Sequence, residues 1–219
     1  MSFVTPESLA EQIAGHLAER IIQGDLKSNE RIQEGRVVQE LEVSRGPVRE
    51  ALLLLESRHL VTILPRRGAI VTELTPHRVR SLYDMYVTLL TMLADLLARN
   101  WNDNNKQVLL DQAMRLQELA SSQDKNAFIL AGFELMRKAF TIANNDYLAQ
   151  MLEDLQPAIH RTYAMSIRHS PDETELSRQF FSGLVTAVLS RDTDVLPKIF
   201  HSYGRHQCSL VLAAMQEEN

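Results

Sequence analysis

The chain has 219 residues, 45% hydrophobic and 23% charged, with a net charge of −5 and a pI near 5.8. That length suits two small domains better than one. The acidic balance argues mildly against nucleic-acid binding by bulk charge alone but leaves room for a local basic surface. Scarce glycine (8) and proline (7) point to helix. No uninterrupted apolar run approaches the roughly 20 residues that cross a bilayer. The start, Met1-Ser2-Phe3-Val4-Thr5-Pro6, has neither the basic region nor the apolar core of a signal peptide. Cys208 has no second cysteine to pair with. The expectation is a cytoplasmic protein with no membrane partner.

In chain order, Thr5-Pro6 predicts a helix start, a capping residue followed by proline at the first helical position. Leu9, Ile13, Leu17, Ile21 and Ile22 then recur at helical spacing until Gly24. Lys27-Ser28-Asn29 reads as a turn. A short helix follows from about Gln33 to Leu41, with Val37, Val38 and Leu41 inward. Gly35 and the step Glu42-Val43-Ser44-Arg45 make a compact break. Ser44 is a good N-cap for the next helix, and Pro47 in its first turn costs little. Val48, Ala51, Leu52 and Leu55 form its apolar side, and it ends near Ser57.

Val61-Thr62-Ile63-Leu64 and Ala69-Ile70-Val71-Thr72 are rich in β-branched residues and flank Pro65-Arg66-Arg67-Gly68, a two-stranded hairpin with a basic tip. Three helices and a hairpin in about 70 residues make a winged helix-turn-helix, over 1–74. Thr75-Pro76 opens a long helix to about Asn100, and residues 75–219 carry no strand signal. Helices are expected near 105–121, 125–143, 146–168, 171–190 and 194–216, with Ser170-Pro171 repeating the cap-plus-proline opening. The fold class is therefore mainly α, a winged helix-turn-helix followed by an all-α bundle of about six helices.

The stretch Val43 to Gly68 holds five arginines against two glutamates in an otherwise acidic chain. A recognition helix needs free side chains at its N-terminus and a buried opposite face. Ser44-Arg45-Gly46-Pro47-Val48-Arg49-Glu50-Ala51-Leu52 has this form. Arg45 and Arg49, four apart, project from one face. Gly46 lets the backbone approach a phosphate, and the helix N-terminus offers N–H groups to it. Arg66 and Arg67, beside Gly68, form a wing tip short and basic enough for the adjacent minor groove. An Arg pair one turn apart is usually surface decoration; its place in this ordered set of capped helices and a basic hairpin is what singles it out.

Residues 5–75 resemble the DNA-binding domain of the GntR family of bacterial regulators. The stretches that carry the resemblance are Ile22-Gln23-Gly24-Asp25-Leu26, Val43 to Leu52 and Pro65-Arg66-Arg67-Gly68-Ala69-Ile70-Val71. It implies that Arg45, Gly46 and Arg49 contact bases and phosphates and that Gly68 lies at the wing tip. A further family arginine falls on Gly35, so its neighbour Arg36 is carried over instead.

Residues 76–216 resemble the helical effector domain of the FadR branch in its six-helix, VanR-like form (the FCD type), anchored on Asn145-x-x-Leu148, Leu184-Val185-x-Ala187-Val188 and Arg191-Asp192. Such domains commonly hold a divalent metal through one Asp and three His. Counting from the anchors puts those positions at Gly132, Met136, Phe181 and Tyr203, none of them a usual hard or imidazole ligand. Of the seven histidines, His77 alone has a carboxylate four residues earlier, Glu73, and the pair lies at the domain joint. The inward Arg and Glu of the first bundle helix align with Tyr86 and Leu90. The resemblance therefore implies no metal cofactor, and a pocket made of Tyr86, Leu90, Met136, Phe181 and Tyr203 that takes an apolar or aromatic effector, with Tyr86 and Tyr203 orienting it. The plainer reading of the same residues is a packed core.

No nucleophile motif, phosphate loop or HExxH zinc motif points to an enzyme. The reading is a regulator that binds a pseudo-palindromic double-stranded DNA operator as a homodimer, Leu89, Leu93, Leu96 and Leu97 being available for the interface. The alternative for the helical domain is dimerisation alone, with no effector.

Overall fold

The computed structural model describes residues 8–64, 68–120, 124–169 and 173–217, arranged as two compact units divided after Thr75. In the first unit, helix α1 spans Leu9–Gln23. It starts at a capping box: Ser8 Oγ accepts from the Glu11 N–H and Glu11 accepts from the Ser8 N–H. The expected start at Thr5-Pro6 lies outside the described residues, and Ser8 is the cap. Gly24 ends the helix at φ 86°, a left-handed conformation that glycine adopts without penalty.

A two-residue strand β1, Arg31–Ile32, precedes α2, Glu34–Leu41, so Gly35 is helical rather than part of a break. After a short turn comes α3, Arg45–Ser57, and then β2, Val61–Leu64, and β3, Gly68–Val71. The hairpin is therefore part of a three-stranded antiparallel sheet in the order β1-β3-β2, with Arg31 opposite Ile70 and Val61 opposite Val71. A strand as short as β1 has no periodicity to detect. It is fixed by its pairing with β3. Gly68 has φ 81°, and a Cβ there would lie 3.3 Å from the Ile32 carbonyl oxygen, so backbone geometry alone requires glycine. Ile13, Leu17, Ile21, Val48, Leu52, Leu55 and Val71 meet in one core. Val38 and Leu41, expected inward, pack at its margin half-buried.

Among its described residues the second unit's regular structure is all helix, joined by short turns: α4 Pro76–Asn100, α5 Asp103–Ala120, α6 Lys125–Ala143, α7 Asp146–His169, α8 Glu173–Leu189 and α9 Leu196–Glu217. Helix α4 packs against α6, α7, α8 and α9, and α5 pairs with α6 and α8. By length and composition α4 alone among the described helices could cross a membrane, its most apolar stretch having a mean hydropathy of 1.3. Counting uninterrupted runs misses it because Thr91 and Asp95 break the run. Its apolar stripe is the bundle's own core: Val79, Tyr83, Tyr86, Val87, Leu93 and Leu97 are buried. So is Leu89. Leu89, Leu93 and Leu97 are thus committed within the protomer and are not spare for an interface, which corrects the sequence-based expectation for them, while Leu96 is half-buried.

Two features fix the register of α4. Gly204 on α9 abuts Val87, and any Cβ at 204 would overlap Val87 Cγ2. At the far end Arg191, itself at φ 58°, donates to the carbonyls of Ala98, Arg99 and Trp101 and lies 4.4 Å from the Trp101 ring centroid. It satisfies the carbonyls that a helix C-terminus leaves open.

Candidate DNA-reading surface and bundle cavity

Helix α3 is two-faced by sequence and by contact. Val48, Ala51 and Leu55 are fully buried, whereas Ser44, Arg45, Gly46 and Arg49 are all exposed. Ser44 occupies the N-cap position, but its side chain makes no capping hydrogen bond, unlike Ser8. The first turn of α3 carries no acidic residue, so nothing on the helix compensates the positive end of its dipole. Arg49 donates through Nε to Glu34 Oε2 at 2.9 Å while its side chain stays 64% exposed. The carboxylate of α2 thus holds one edge of the guanidinium. Gly46 has open space where a Cβ would stand, so no packing within the chain calls for glycine there. Arg36 is exposed on α2. Arg66 and Arg67 lie outside the described residues, and Gly68 opens β3.

Within the second unit lies a cavity of about 120 Å³, bounded by residues of α4, α5, α6, α7, α8 and α9. Tyr86, Leu90, Met136, Phe181 and Tyr203 all line it, and so does Gly132. Helical spacing brings them there: Gly132 and Met136 are one turn apart on α6, and Tyr86 and Leu90 one turn apart on α4. Phe180 stacks on Tyr203 with ring centroids 4.0 Å apart, and Phe181 meets Phe128 edge-on. None of the described residues around the cavity is charged.

The polar atoms around it are mostly spoken for. Tyr86 donates to Met136 Sδ at 3.4 Å. Tyr163 donates to the Tyr203 hydroxyl at 2.9 Å, and that hydroxyl also pairs with Ser177 Oγ. Burial pushes the Tyr86 and Tyr163 phenols well above their ordinary range, with neighbouring phenols adding to it, so both stay neutral donors. Tyr83 pairs with Thr162 Oγ1 at 3.0 Å, and the remaining polar side chain is Gln207 on α9, fully buried, with no partner for either amide atom. Sequence reasoning missed Gln207, Ser177 and Tyr163. Gln207 did leave a signal, since it interrupts the apolar stripe Phe200, Val211 and Ala214 one turn after Tyr203. Among the described residues no group of three or more His, Cys, Asp or Glu comes together as a metal site would need.

The family description "Bacterial regulatory proteins, gntR family" matches residues 9–71, and the FCD domain description matches 81–200, more than half of the chain. The chain belongs to the GntR family of bacterial regulatory proteins and carries an FCD domain. A gluconate operon transcriptional repressor of Bacillus licheniformis is 25% identical over 89% of this chain and 81% of its own length. The transcriptional repressor GlaR of Escherichia coli K12 is 26% identical, over 79% of this chain and 82% of its own length. Among solved structures, E. coli McbR/YncC superposes with a TM-score of 0.75 at 20% identity, covering 97% of this chain and 99% of that one, which shows the shared fold. This GntR-family protein is accordingly a transcription regulator and not an enzyme. Its helix-turn-helix is α2 and α3, its wing is β2 and β3, and its FCD domain is the bundle that lines the cavity.

Proposed function

We propose that this regulator is a repressor that binds a pseudo-palindromic operator as a homodimer in the cytoplasm and is released or retained by an apolar or aromatic effector bound in the FCD cavity. The observation that carries this reading is the cavity itself: a partly open, uncharged, aromatic-walled space in the helical unit. An FCD domain serving only for dimerisation has no need of a void at its centre, because unfilled space in a core costs stability. Ser44, Arg45, Gly46 and Arg49 contact the major groove and its phosphates, helped by Arg36, while Arg66, Arg67 and Gly68 serve the wing. Repression is favoured by the relatives, which are named as repressors.

The effector site works without a metal, since Gly132 and Phe181 have no donor atom and the Met136 thioether is soft. Two symmetry-related reading helices supply the specificity that one cannot. The deciding experiment selects bound DNA from a random pool and then screens compounds for release. Arg45→Ala and Arg49→Ala should each lose about 1–3 kcal/mol of discrimination with the fold intact. Unchanged operator affinity in both variants defeats α3 as the reader. A sedimentation run giving a monomer on and off DNA defeats the dimer. Operator binding indifferent to every compound that binds the cavity leaves dimerisation as the role of the FCD domain.

A further inference from the structure

Gln207 is the polar feature of the cavity that the protein itself leaves unanswered. Its side chain is completely buried, it lines the cavity, and neither its amide oxygen nor its amide nitrogen has a hydrogen-bond partner. A buried amide left unpaired costs about 1–3 kcal/mol, and the great majority of buried polar groups in folded proteins are satisfied. An apolar residue at 207 would avoid that cost, because this stripe of α9 is otherwise made of Phe200, Val211 and Ala214. The amide offers an adjacent donor and acceptor. Its complement is a group that presents an acceptor and a donor side by side in one plane.

Charge and size narrow the choice. No described residue around the cavity carries a charge, so an ionised acid or amine would be buried without a counter-ion, which is very costly. Each tyrosine hydroxyl around the cavity already has a partner: Tyr83 pairs with Thr162, Tyr86 donates to Met136, and Tyr163 donates to Tyr203, which also pairs with Ser177. The volume of about 120 Å³ limits the ligand to about one ring, since an apolar cavity of about 150 Å³ holds a single benzene. We infer that the FCD cavity takes an uncharged single-ring or similarly compact ligand bearing a carboxamide or lactam, read by Gln207 through a paired hydrogen bond. This deepens the proposed effector reading and rests on it for regulatory meaning, though the binding itself is independent of DNA.

The test uses the full-length protein and four probes that share one ring: benzamide, acetophenone, benzoate and ethylbenzene, titrated by calorimetry into the wild type and Gln207→Leu. In the wild type, benzamide is expected to bind at least about tenfold more tightly than benzoate. In Gln207→Leu, benzamide should lose about tenfold or more, acetophenone less, and ethylbenzene nothing. The unliganded variant should also melt at a higher temperature, because the unpaired amide is gone. Gln207→Met, unbranched like glutamine, carries the same test if the leucine variant fails to fold. Failure of benzamide to bind, benzoate binding as tightly as benzamide, or equal losses for benzamide and ethylbenzene would each overturn the inference. Benzamide that binds through Gln207 yet leaves operator affinity unchanged upholds it, and refutes the proposal that the cavity governs DNA binding.

Discussion

The ring of Phe181 stands directly over Gly132, so that a Cβ at 132 would lie 3.1 Å from Phe181 Cζ. These are two of the four positions at which the FCD resemblance puts metal ligands. Here an aromatic ring occupies the space that a carboxylate and an imidazole would share. Met136 and Tyr203, the other two, are tied to Tyr86 and to Tyr163 with Ser177. At these four positions, packing and hydrogen bonds stand where the resemblance would put metal ligands.

Elemental analysis of protein purified without chelator should accordingly find no stoichiometric transition metal. About one equivalent held until the protein unfolds would mean that the bundle binds metal through residues other than these four.

Gly46 is a cost in the free protein, because glycine inside a helix is unfavourable and nothing crowds its missing Cβ. Gly46→Ala, in the first turn of α3, should stabilise the DNA-binding unit by less than about 1 kcal/mol while weakening operator binding. Chemical denaturation and a binding titration on the same samples measure the two effects. A variant that gains stability and keeps full affinity would remove Gly46 from the interface.

If Arg49 reads DNA as proposed, Glu34 acts as a positioning residue through the ion pair that holds the Arg49 guanidinium. Glu34→Gln breaks an exposed ion pair, and such pairs are worth about 0–1 kcal/mol, so the melting temperature should barely move. Removing a negative charge near the backbone should raise affinity for random DNA, while a less constrained Arg49 discriminates less well. The ratio of specific to non-specific affinity, measured across salt concentrations, should therefore fall. A ratio equal to that of the wild type would limit Glu34 to a structural contact between α2 and α3.

Alkaline pH should destabilise the bundle through Tyr86. Its phenol titrates at 10.0 when unperturbed and higher in the folded chain, where burial disfavours the anion. A raised folded value means that its contribution is intact below about pH 10 and is lost as pH rises beyond it, because only the unfolded chain ionises there. The slope is at most about 1.4 kcal/mol per pH unit for one such group. Denaturant midpoints collected on either side of pH 10 should show a smaller alkaline loss in Tyr86→Phe than in the wild type. An identical loss in both proteins would place the alkaline sensitivity elsewhere, for instance at Tyr163.

By itself the sequence determined the helices, because 3.6-residue periodicity and capping residues are local properties. It also determined the two faces of α3, whose buried stripe of Val48, Ala51, Leu52 and Leu55 leaves Arg45 and Arg49 on the other side. It brought Tyr86, Leu90, Met136, Phe181 and Tyr203 to one place through the spacing of a familiar domain. It could not reveal β1, whose two residues become a strand only by pairing with β3. It misassigned Leu89, Leu93 and Leu97, since an apolar stripe reads the same whether it faces its own core or a partner. The state of Gln207 was also a tertiary decision. Helical spacing marks a polar residue on an apolar face, but whether its amide finds a partner depends on what the other helices bring within hydrogen-bond reach, and here they bring none.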